Sequence, residues 1–127
     1  MKVTRIYTGD DNRSHFEERD IPLQRAADGS ESVVLSSPGV VFRENRVGDA
    51  LDSHTAPRRQ FVVTIFGVEE IECGDGTLRR FKAGVIMLAD DTTGQGHITR
   101  EIEGPRRAIF IRVPENLDVN PWRIRSS

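Results

Sequence analysis

Apolar residues along this chain fall in short runs about ten residues apart, and no window carries the sustained stripe of an amphipathic helix. The runs are Ser32–Ser37 (SVVLSS), Val40–Asn45 (VVFREN), Phe61–Gly67 (FVVTIFG), Val68–Cys73 (VEEIEC), Leu78–Phe81 (LRRF), Gly84–Ala89 (GVIMLA), His97–Ile102 (HITREI) and Ala108–Val113 (AIFIRV). Turn-forming residues separate them at Ser37–Gly39, Cys73–Gly76, Lys82–Gly84, Thr92–Gly96 and Glu103–Pro105. Asp75-Gly76 is the strongest hairpin signal, because glycine accepts the positive φ that tight hairpin turns demand. The best helical candidate is Asn12–Leu23 (NRSHFEERDIPL), and Pro22 limits it. Regularly spaced short strands without a long helix predict an all-β sandwich or barrel. The polar tail from Val113 is expected to pack across the outside or over the barrel mouth through Trp122.

With 127 residues the chain is expected to form one domain over residues 1–127. Hydrophobic residues make up 36% and charged residues 30%, polar for a globular domain but well short of a disordered composition. The net charge is −2. The dipeptides Arg58-Arg59, Arg79-Arg80 and Arg106-Arg107 are scattered and balanced by nearby acids, so no basic face for nucleic acid is expected. Cys73 is the one cysteine, which excludes an intramolecular disulfide. It reads as a small strand residue beside a turn. Neither a signal-peptide core nor an apolar run of membrane-spanning length is seen, so a soluble, cytoplasmic protein is expected, with no membrane partner.

The segment Gly48–Gly67 concentrates chemistry next to a core strand. Its spacing is Gly48, five residues, His54, one residue, Ala56, three residues, Gln60, six residues, Gly67. This resembles the first signature motif of the cupin superfamily, which places a second histidine where Ala56 stands and a glutamate where Gln60 stands. A second, looser correspondence runs over residues 84–97, from Gly84 to His97, with Asp90 in the place of a proline and two extra residues before the histidine. The resemblance covers the middle of the chain. It implies a cupin-type double-stranded β-helix, a small jelly-roll barrel.

Cupins hold a metal on three histidines and a glutamate, a shell that suits manganese, iron, zinc or nickel. On that resemblance the metal set here is His54, Gln60 and His97. Gln60 brings an amide oxygen and no charge, and Asp90 or Asp91 could restore one. The catalytic candidates are His54, His97 and Asp91, with Asp91 read as a general acid or base at the mouth. Arg58, Arg59 and Gln60 are candidates for holding a substrate carboxylate or phosphate. Each has a plainer reading: exposed or structural histidines, surface ion pairs for the arginines, and turn-building aspartates. The glycines of Gly94–His97 (GQGH) are expected to serve tight backbone geometry beside the pocket.

The loss of the carboxylate ligand favours a metal-assisted or acid–base lyase, dehydratase or isomerase over a dioxygenase. The substrate class is a small carbonyl or carboxylate metabolite. A non-catalytic ligand-binding barrel is the alternative, and a dioxygenase follows where a full metal site is present. No nucleotide cofactor is implied. The resemblance also implies a homodimer, with Lys2–Thr8 (KVTRIYT) read as an edge strand open to a partner's sheet.

Overall fold

The computed structural model describes residues 1–124. Ten strands follow in order: β1 Lys2–Thr8, β2 Ser14–Asp20, β3 Gln24–Ala26, β4 Gly29–Glu31, β5 Val40–Asn45, β6 Ala50–His54, β7 Gln60–Cys73, β8 Leu78–Phe81, β9 Ile86–Ala89 and β10 His97–Arg112. A 3-10 turn at Asn120–Trp122 follows. The protein is all-β, and eight of these strands form one mixed sheet. Its main path runs β2-β1-β9-β7-β10-β5, with β8 added to β7 and β6 added to β10. All pairings in it are antiparallel except β1 with β9.

Two strands are long because each of them joins two of the short runs. In β7 the run from Phe61 continues into the run from Val68, and in β10 the run from His97 continues into the run from Ala108. The register between them slips at Glu101/Glu103, Glu103/Arg107 and Arg107/Ala108. Gly67 sits opposite this irregularity at φ 81°, and a Cβ there would lie 2.5 Å from the Glu103 carbonyl oxygen. Only glycine permits that approach. Extra residues of this kind bend a strand, so β7 and β10 carry the sheet into a second half that also holds β6 and β8.

Alternation then assigns the side chains. Inward-facing Ile6, Val62, Met87, Ala89 and Ala108 from the first half pack with Ile71, Cys73 and Phe81 from the second. The opposite face of the first half buries Val3, Phe61 and Leu88 under Val113, Val119 and Trp122. The C-terminal segment therefore lies across the outer face, and Trp122 stacks on Phe61 with ring centroids 6.1 Å apart.

Three expectations change. The segment with helical potential is strand β2, pairing residue for residue with β1, and its Ser14 and Arg19 are buried. Ser32–Ser37 forms no strand, and Val34 in it is 98% exposed; the chain instead makes the small hairpin β3-β4 just before it. Lys2–Thr8 is not an edge, since β1 lies between β2 and β9 with both sides paired. No helix is long and apolar enough to cross a membrane among the described residues.

Candidate functional site

The two halves of the sheet leave a cavity of about 500 Å³ between them. His54 from β6, Gln60 from β7 and His97 from β10 all line it. The reason is register. His97 is the Cα partner of both His54 and Cys73, so the two imidazoles are cross-strand neighbours, with ring centroids 4.6 Å apart. Gln60 heads β7 on the inward parity of Val62, and is 6% exposed.

Both rings are held from behind. His97 Nδ1 lies 2.5 Å from Asp91 Oδ2, and His54 Nδ1 lies 2.9 Å from the Asp52 carbonyl oxygen. A carbonyl can only accept, and a carboxylate accepts here in the same sense. Each Nδ1 is therefore a protonated nitrogen, and Nε2 is the ring nitrogen left without one of these partners. Asp91 is fully buried and does not line the cavity. It acts through His97, fixing the ring and its tautomer.

Asp90 and Asp91 part company because they follow β9 with opposite parity. Asp90 turns to the outer face, where Arg5 Nε reaches it at 2.7 Å and Arg59 Nε at 2.6 Å. Arg59 also donates to the carbonyls of Pro114, Glu115 and Leu117, which ties the C-terminal segment to the sheet. Arg58 is exposed. Neither arginine lines the cavity.

Another arginine does. Arg106 is 3% exposed and lies between two buried carboxylates, Glu69 and Glu101. Its Nε donates to Glu101 Oε2 at 2.8 Å, its Nη2 pairs with Glu69 Oε2, and Asn45 Nδ2 donates to Glu101 Oε1 at 2.9 Å. All four residues line the cavity. Burial pushes the Glu69 carboxyl up to about 7; the Arg106 charge opposes this and Glu101 reinforces it. Arg43 adds a second guanidinium to the lining and lies over the Phe110 ring at 5.8 Å. Cys73 is buried in the core beside the site, and desolvation pushes its thiol up to about 12, which leaves it unreactive.

A resident metal asks for more donors than the site brings together. The imidazoles of His54 and His97 offer two nitrogens and Gln60 an amide oxygen. Among the described residues no three His, Cys, Asp or Glu side chains converge on one point. Glu69 and Glu101, the cavity's buried acids, are engaged with Arg106. The full cupin shell is not assembled by these residues.

No family profile matches this chain, and no curated protein is detectably similar to it.

Proposed function

We propose that the cavity binds a small carbonyl or carboxylate metabolite and acts on it by acid–base chemistry, as a lyase, dehydratase or isomerase built on a cupin-type jelly roll. The observation that carries this reading is the Asp91–His97 pair at the wall of the cavity. A carboxylate behind Nδ1 holds the imidazole with its basic nitrogen toward the ligand, and it stabilises the imidazolium once a proton has been taken. Arg43 and Gln60 are the lining groups suited to steady a carbonyl or carboxylate oxygen.

The test uses exchange rather than a known product. Native protein in D2O with dihydroxyacetone, pyruvate or 4-hydroxybutan-2-one is expected to place deuterium on the carbon next to the carbonyl, read by proton NMR. His97→Gln is expected to slow that exchange about a hundredfold. Exchange no faster than buffer alone for every probe would sink the reading.

A metal-assisted form is favoured by one observation: both Nδ1 atoms already have oxygen partners, the arrangement that orients histidine ligands. In that form Gln60→Glu supplies the missing charge. An added carboxylate is expected to tighten Mn²⁺ or Zn²⁺ about tenfold, equivalent to about 1.4 kcal/mol, and His54→Ala to abolish binding, both by titration calorimetry. Equal affinity in native and Gln60→Glu proteins rejects Gln60 as a ligand. A homodimer is also proposed. β5 pairs with β10 alone and exposes Phe42 at 77%, which makes it a better edge than β1 for a second copy. Sedimentation at micromolar concentration is expected to give the dimer mass.

A further inference from the structure

We propose that Glu69 is the proton donor of the same cavity, working with His97 from the neighbouring strand, so that the site removes a proton from one carbon and protonates a group leaving the next. This rests on the acid–base reading above. Glu69 and His97 line one cavity and are 4% and 5% exposed. Arg106 holds only Oε2 of Glu69, and Oε1 has no hydrogen-bond partner among the described residues. The triad sets two carboxylates against one guanidinium. Glu101 has both oxygens paired, one with Arg106 and the other with Asn45, whereas Glu69 has only the Arg106 contact.

Glu69 is thus the surplus acid, and in a buried site a surplus carboxylate is held more cheaply with its proton on. Burial raises it to about 7, against 4.5 ordinarily, so Glu69 holds its proton more tightly than an exposed glutamate does. His97 is placed for the complementary role, with Nδ1 on Asp91 and no hydrogen-bond partner on Nε2 among the described residues. A buried carboxyl with one unpaired oxygen and an imidazole anchored through Nδ1 give one cavity the geometry of an acid and a base.

The step fits a β-hydroxy carbonyl compound. His97 Nε2 takes the proton on the carbon next to the carbonyl. The C–H electron pair forms the new carbon–carbon double bond, and the β-carbon–oxygen bond breaks with its pair. The Glu69 proton passes to the departing oxygen, which leaves as water. His97 then returns its proton to solvent and Glu69 takes one back.

The leaving group provides the test. Hydroxide needs a proton as it leaves, whereas acetate leaves as a stable anion. The probes are 4-hydroxybutan-2-one and 4-acetoxybutan-2-one, which both yield methyl vinyl ketone, followed by its ultraviolet absorbance. Native protein is expected to eliminate from both, and His97→Gln from neither. Glu69→Gln is expected to lose about a hundredfold on the hydroxy compound while keeping the acetoxy rate within about twofold, with Glu69→Asp recovering part of the lost rate. Gln is uncharged and leaves Glu101 to pair with Arg106, so this variant is expected to fold, as checked by thermal unfolding. Equal losses on both probes, or no loss on either, overturn the assignment of Glu69 and leave His97 standing. A native protein inert toward both probes overturns the acid–base reading, and the assignment of Glu69 with it.

Discussion

Arg106→Met is expected to remove about 3–5 kcal/mol of stability at pH 8.5, and clearly less at pH 5.5, in urea unfolding followed by Trp122 fluorescence. Removing one partner of a buried ion pair leaves an uncompensated charge, and losses of this size are typical. Here the guanidinium serves two carboxylates that are 4% and 5% exposed. Methionine fills most of the space, so the deficit is electrostatic rather than a void. The pH dependence follows from Glu69. Its folded pKa of about 7 lies above the ordinary 4.5, so the folded protein binds this proton more tightly than the unfolded chain. Its contribution to stability is fully present below about pH 4.5 and is lost as pH rises through 7. Arg106 attraction is what keeps that pKa from going higher. Without it the loss continues to higher pH, and the gap between variant and native protein widens there. A gap equal at the two pH values means that Arg106 contributes by packing alone.

The residues of this triad show where sequence reading stopped. Strands were legible, because short apolar runs at regular spacing and the turn residues between them both marked them. The placement of His54, Gln60 and His97 on one cavity follows from the spacing of the segment from Gly48 and from the loop that leads into His97. The signal for Glu69 and Glu101 was also present. Glu69 shares strand parity with Ile71 and Cys73, and Glu101 shares it with His97 and Thr99. A charged residue on an inward parity reads as an exception, and only a buried counter-charge accounts for it.

That counter-charge could not be counted to. Alternation from His97 through Glu101 would turn Arg107 inward. The register slips between Glu101 and Ala108 reverse the parity, so Arg106 joins Ala108 and Phe110 inside while Arg107 pairs with exposed Glu44. A one-residue slip exchanges the faces of everything after it, and the local sequence around Gly104-Pro105 marks a turn without giving its length. Arg58 and Arg59 were open for the opposite reason. One strand position decides between inside and outside, and the outer face supplied Arg59 with Asp90 and three carbonyls.

Gly96→Ala is expected to cost about 3–5 kcal/mol and to disturb the site with the fold. Gly96 has φ 76°, where a non-glycine residue costs about 1–2 kcal/mol. It also passes against β6: a Cβ would stand 2.0 Å from the His54 carbonyl oxygen and 2.2 Å from its carbonyl carbon. Backbone cannot swing aside as a flexible side chain can, so the two strands must separate, which adds the penalty of forcing atoms into a packed site. The strands that separate carry His54 and His97, and Ser14 Oγ loses its acceptor at the Gly96 carbonyl, 2.6 Å away. Gly76→Ala isolates the first part of the effect. Gly76 has φ 89° and nothing within 4 Å of its Cβ position, so it is expected to lose only the conformational share, about 1–2 kcal/mol. Urea unfolding of both variants separates backbone conformation from close approach. Histidine NMR signals shifted in Gly96→Ala and unmoved in Gly76→Ala tie the approach to the two imidazoles. Equal losses in the two variants mean that β6 is free to yield at Gly96, and that the spacing of His54 and His97 is set elsewhere.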